Sequence, residues 1–84
     1  MKDLVPKIMK DILEYLVKAL VDNPDAVVVT EEELDGVVTF TITPDKEDMG
    51  KLIGKGGKVI RAIRNLMKIP AMKESKKVQV MLSE

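Results

Sequence analysis

Between Ile53 and Ile60 the chain reads Ile-Gly-Lys-Gly-Gly-Lys-Val-Ile: three glycines and two lysines inside a pair of aliphatic residues. Glycine reaches backbone angles closed to other residues, so Gly54 and Gly57 let the chain turn within four positions. With no side chains there, a phosphate can approach the main chain closely. A helix starting near Gly57 points its unpaired N–H groups and positive dipole end at the same spot. Lys55 and Lys58 add full charges. Ile53 and Ile60 are expected to pin the flanking helices to the core, so that the loop is held. The chemistry on offer is anion binding.

Other glycine-loop chemistries do not fit. A nucleotide-binding loop of the Gly-x-x-x-x-Gly-Lys-Ser/Thr kind needs its second glycine at Lys55 or Val59. A dinucleotide fingerprint from Gly54 would also need glycine at Val59, and a strand before it. A plain helix–loop–helix turn needs one glycine, not three flanked by lysines.

The rest of the composition narrows the function. The chain has 84 residues and no cysteine or histidine. Disulfides and thiolate metal sites are excluded, and so are the usual general base and the commonest nitrogen ligand. Catalysis, a metal centre and a cofactor are not expected. Length points to one domain over residues 1–84. A domain this small buries roughly 60–65% of the surface its unfolded chain exposes. No run approaches the ~18 apolar residues of a membrane span. The N-terminus lacks the apolar core of a signal peptide, so a cytoplasmic location is expected.

Net charge is zero, but the charge is divided. Residues 1–48 hold five lysines against twelve carboxylates, and residues 49–84 hold nine lysines and arginines against two. That division suggests a basic functional face on an acidic remainder.

The elements that must position the loop can be read from periodicity. Val5, Ile8, Met9, Ile12, Leu13, Leu16, Ala19 and Leu20 follow helical spacing, which predicts a first helix over 4–22. Asp3 is its candidate N-cap, Pro6 suits its first turn, and Asn23-Pro24 ends it. Val17 and Val21 widen the apolar stripe, which implies burial on two sides or a surface for a partner chain. Residues 26–30 read as a strand. Val37–Thr43 alternates, with Val38, Phe40 and Ile42 on one face. Asp35-Gly36 signals a hairpin whose loop has two or three residues. Glu31, Glu32, Glu33 and Asp35 are expected at its tip.

A short helix is predicted over 46–52, capped by Thr43 or Asp45 and stopped by Gly54. A third helix begins near Gly57 with Val59, Ile60, Ile63, Leu66 and Met67 on its apolar side, and Pro70 is expected to end it. Residues 77–82 alternate as a last strand. Met9, Met49, Met67, Met72 and Met81 are expected to fill the core. The two aromatics are Tyr15 and Phe40, so base-stacking platforms are not expected. The order is helix, strand, strand, helix, helix, strand. The long connection between the second and third strands allows them to run parallel. The fold class is α+β: a mixed three-stranded sheet with helices on one face.

Ile53-Gly54-Lys55-Gly56-Gly57-Lys58-Val59-Ile60 resembles the Ile-Gly-x-x-Gly-x-x-Ile signature of KH domains. The element order resembles the type II KH arrangement over essentially the whole chain. With so little sequence outside the module, the chain is similar to the small stand-alone bacterial KH proteins of the KhpA group. The resemblance implies a clamp of Gly54, Lys55, Gly56 and Gly57 on the backbone of about four single-stranded nucleotides. It implies that Ile53 and Ile60 lie beside the groove, with a strand edge and a variable loop, here residues 70–76, as the opposite wall. Lys76 and Lys77 would enter from that wall. Gly56 departs from the pattern as a third glycine, which is expected to loosen the free loop.

On the third helix, Lys58 and Arg61 are expected to reach phosphate, whereas Arg64 and Lys68 read as a solvated face. The function expected is non-catalytic binding of single-stranded RNA, as an RNA chaperone or post-transcriptional regulator. The competing reading is a KH-fold protein-interaction adaptor without RNA binding. One module reads few nucleotides, and the resemblance implies a homodimer or a heterodimer with another KH-containing protein.

Overall fold

The computed structural model describes residues 4–84, with side chains from Lys7 onward. The expected cap at Asp3 lies outside the described residues, as do the side chains of Val5 and Pro6. Six regular elements follow in order: α1 (Leu4–Leu20), β1 (Val28–Leu34), β2 (Val37–Thr43), α2 (Met49–Ile53), α3 (Lys58–Lys73) and β3 (Lys77–Leu82). The strands form one sheet in the order β1-β2-β3. β1 pairs antiparallel to β2, and β3 pairs parallel to it. The α+β class and the mixed sheet are therefore as expected.

The helices cover one face of the sheet. Met9, Leu13 and Val17 of α1, Val21 just after it, and Ile60, Ile63, Met67 and Ala71 of α3 are buried against Val38, Phe40, Ile42 and Val80. Val17 and Val21 are thus core residues, which corrects the idea that they face a partner. Among the described residues, the large apolar side chains that α1 leaves exposed are Ile8, Ile12, Tyr15 and Leu20. Met9 and Met67 fill the core, but Met72 and Met81 are exposed. Helical and strand periodicity turn those two positions outward.

β1 runs later than expected. Pro24–Ala26 forms a turn of 3-10 helix, with Val27 N–H donating to Pro24 O at 3.2 Å, so the strand starts at Val28. It then continues through the three glutamates to Leu34. As an edge strand it lets their carboxylates reach water while its backbone pairs with β2. The acidic run therefore lies along the sheet edge, and only Asp35 sits at the tip. Leu34 pairs with Val37, which leaves a two-residue turn. Asp35 (φ 53°) and Gly36 (φ 78°) are both left-handed, as a type I′ turn requires.

Pro70 does not end α3, which runs on to Lys73. Ala71, 1% exposed, belongs to the core, and burying it holds the last turn in place. Leu66, four residues before the proline, is half exposed, so the carbonyl the proline leaves unbonded lies on the solvent side. The expected 70–76 loop shrinks to residues 74–76.

Asp48 ties the helical layer together. Its side chain is buried, yet its carboxylate accepts from Asn23 N–H at 2.9 Å and Asp22 N–H at 3.2 Å, and lies 3.6 Å from Lys51 Nζ. The chain leaves α1 at Leu20, earlier than predicted, and these two N–H groups turn to α2 instead. Asp45 caps the turn before α2, accepting from Glu47 N–H at 3.0 Å. Burial pushes the Asp48 carboxyl upward. The Asn23 and Asp22 N–H groups and the Lys51 charge outweigh that, leaving it below its ordinary 3.8. A carboxylate lowered on folding stabilises the fold above its unfolded value, and the contribution is lost as pH falls through the folded value. Asp48→Asn should therefore melt at a lower temperature than the wild type at pH 7, and the gap should close as pH drops below 3.8. Melting followed by circular dichroism across pH 2–8 measures that gap.

Candidate nucleic-acid interface

The glycine loop occupies the corner between α2 and α3. Gly54 ends α2, its N–H donating to Gly50 O at 2.9 Å, and it adopts φ 73°, ψ 173°. That region is open to glycine almost alone. A Cβ at Gly54 would lie 2.4 Å from Val59 Cγ2 and 2.9 Å from Val59 N. The missing side chain is what lets α3 start against the end of α2. Gly56 and Gly57 are also left-handed, at φ 65° and 78°, but a Cβ at either would meet open space. Gly54 therefore makes the turn, and the next two glycines keep the outside of the loop bare.

The loop is fastened from behind. Gly57 N–H donates to Gly54 O at 3.1 Å. Arg61, one turn into α3, donates from Nη2 to Gly56 O at 2.9 Å and from Nε to Gly57 O at 3.3 Å. Leu52 and Ile60 anchor the two helices in the core. Ile53 does not: it is 40% exposed, because α2 has room to bury one side only and Leu52 takes it. Ile53 stands instead beside the loop as exposed aliphatic surface.

The lysines sort into free and engaged. Lys55 and Lys58 are exposed and have no ion-pair partner among the described residues. Lys51 is held by Asp22 and Asp48, and Lys76 by Glu33 of β1. The Lys76 side chain is only 19% exposed. Lys77 is exposed at the start of β3. No carboxylate falls between Asp48 and Glu74 in the chain, so the loop and nearly all of α3 carry positive charge alone. No side chain caps the first turn of α3, because its N-cap is Gly57.

Beyond the loop, α3 and the free edge of β3 enclose a groove of about 450 Å³, lined by Arg61, Arg64, Asn65, Lys68, Val78, Gln79, Val80 and Met81. Arg64 crosses it, donating from Nε to Val80 O at 3.0 Å. A second hollow of about 300 Å³ shares Lys68 and Val78 and continues to Lys76 and Lys77. Arg61 belongs both to the groove wall and to the loop. Loop and groove therefore form one continuous basic track.

The KhpA/KhpB KH-domain pattern matches residues 10–82. The chain belongs to this KH family. It is 41% identical over 76 residues to the RNA-binding protein KhpA of Listeria monocytogenes, covering 90% of this chain and all of the relative. The RNA-binding protein KhpA of Caldanaerobacter subterraneus subsp. tengcongensis is 46% identical over 72 residues, covering 86% and 96%. The RNA-binding protein KhpA of Chlamydia trachomatis is 40% identical over 76 residues, covering 90% and 97%. No solved structure matches. The KhpA/KhpB family is not one of enzymes, in keeping with a chain that lacks histidine and cysteine.

Within this KH frame, Gly54, Lys55, Gly56, Gly57, Lys58, Ile53 and Arg61 come together around the loop. Ile60 is buried beneath it, and Lys76 and Lys77 lie at the far end of the track. Arg64 and Lys68 are exposed, as a solvated face requires, and with Asn65 they also line the groove. The signal was present in the spacing, since positions 61, 64, 65 and 68 form one helical stripe without a carboxylate. The KH resemblance implied a strand edge across the groove; what the spacing lacked was any sign that this stripe is the wall facing it.

The different demands at the glycines can be measured. Gly54→Ala should lose about 2–3 kcal/mol of unfolding free energy in urea, from the forbidden backbone region plus the clash with Val59. Gly56→Ala, strained but unobstructed, should lose about 1 kcal/mol.

Proposed function

We propose that this chain is a non-catalytic RNA-binding protein that grips single-stranded RNA through its Gly54–Gly57 loop. The observation that carries the reading is the loop itself: bare glycine backbone, held in place by Arg61, with two lysines that have no ion-pair partner among the described residues. Phosphates pack against that backbone, with Lys55 and Lys58 supplying charge, and bases lie along the groove between α3 and β3. The names of the relatives support RNA as the ligand.

Contacts of this kind position the strand without reading it. The cellular role that fits is an RNA chaperone or post-transcriptional regulator in the cytoplasm. No helix among the described residues is long and apolar enough to cross a membrane.

A single module holds few nucleotides, so pairing with a second copy or with another KH-containing protein raises effective affinity. Exposed Ile8, Ile12 and Tyr15 on α1 support such pairing. Sedimentation should show a dimer that Ile12→Glu converts to a monomer. A wild-type monomer at all concentrations would remove self-pairing.

The decisive variant is Lys55→Asp with Gly56→Asp. Aspartate tolerates the left-handed backbone and meets no neighbour at position 56, so the fold should hold. Two carboxylates should repel phosphate and lower affinity for an RNA pool at least tenfold, in a protein that still unfolds cooperatively and melts no lower than Gly56→Ala. In the wild type, log K against log salt should fall with a slope of about −0.7 for each phosphate held. Full RNA retention by the folded double variant would refute the assignment of the loop.

A further inference from the structure

The groove wall holds a feature that loop binding does not use. Arg64 spends its Nε hydrogen on the carbonyl of Val80. Its two terminal nitrogens have no hydrogen-bond partner among the described residues. Val80 O is itself no ordinary acceptor. Lys77 N–H and Ser83 N–H donate inward, to Gly36 O and Ile42 O. In a parallel ladder alternate residues face the partner strand, so the odd-numbered residues of β3 point their backbone at β2. Val78 and Val80 therefore turn theirs to the free edge, where the groove lies.

An uncovered strand edge reads a base by its N–H and C=O together. It suits a ring nitrogen acceptor beside an amino donor, the pattern of adenine and cytosine. Here the second half of that code is altered. Arg64 Nε–H already occupies the Val80 carbonyl, and Val80 lines the groove while itself only 3% exposed, so a base entering there meets the adjacent Arg64 terminal N–H groups first. Two adjacent donors suit a keto oxygen, which has two lone pairs. The Val78 carbonyl remains for a ring N–H. An exocyclic amino group at the same place would set donor against donor in a partly closed site, leaving polar groups unpaired.

We infer that Arg64 makes the groove selective for keto bases, uracil and guanine, over the amino bases adenine and cytosine. This rests on the RNA-binding reading above and adds base choice to it. Arg64 is a specificity-determining residue in this scheme, acting both by direct contact and by masking Val80 O.

Fluorescence anisotropy with labelled hexamers tests the inference. The probes are oligo-uridine, alternating guanosine–uridine, oligo-adenosine and oligo-cytidine. The wild type should bind the first two about tenfold more tightly than the last two, the scale of one good paired contact. Arg64 is exposed, so Arg64→Met should fold, with circular dichroism as the check. It should erase the preference by losing uridine affinity and gaining adenosine affinity, at an unchanged salt slope. Arg64→Lys keeps the charge but lacks the planar fork, and should lose the preference too.

Equal wild-type binding of all four probes, or a preference for adenosine or cytidine, would overturn the inference while leaving RNA binding intact. Uniform weakening in Arg64→Met, with the salt slope reduced by about one, would mark a phosphate contact and overturn it as well. Binding of no probe by the wild type would bring down both readings.

Discussion

The architecture turns on the backbone at Gly54. Three demands meet there: α2 must stop, the chain must reverse, and Val59 must pack where a Cβ would otherwise stand. A side chain at this position would push the start of α3 away from α2 and lift Ile60 from the core. Everything downstream depends on that contact. The loop is exposed because its two ends are pulled inward by Leu52 and Ile60, and it is bare because glycine is what the geometry admits.

Charge is arranged by the same economy. The acidic half of the chain does not simply balance the basic half. Some of its carboxylates neutralise specific cations away from the loop: Asp22 and Asp48 on Lys51, and Glu33 on Lys76. Glu14 pairs with Lys10 and Lys18 along α1, and Glu31 and Glu32 are exposed on the β1 edge, where like charge also discourages edge-to-edge pairing. Lys55 and Lys58 are left without ion-pair partners among the described residues, beside glycines that leave the backbone bare. A molecule of zero net charge can in this way present a strongly positive track, because screening confines each charge to about 8–10 Å of influence.

The two arginines of α3 do different work from lysine. Each uses its fork to hold a main-chain carbonyl, Arg61 at the loop and Arg64 at the strand edge. A lysine could supply the charge at either place but could not bridge two elements and still offer directed donors. The loop and the groove are thereby joined through one helix.

Much of this was legible in order along the chain. Periodicity placed the helices and the last strand, because apolar spacing reports directly which face must be buried. The Ile-Gly-Lys-Gly-Gly-Lys-Val-Ile run declared the loop, since glycine excess beside lysine has few structural uses. Other features depended on neighbours distant in sequence. Whether Pro70 stops α3 was decided by the burial of Ala71, and where α1 ends by the grip of Asp48 on Asp22 and Asn23. The length of β1 was decided by its pairing with β2. Local pattern sees residues a few positions apart, while the end of α1 is settled by a partner some twenty-five positions away. The groove belongs to the second kind. One stripe of α3 was visible in the sequence, but only the fold sets it against the open edge of β3 and makes a solvated face one wall of a groove.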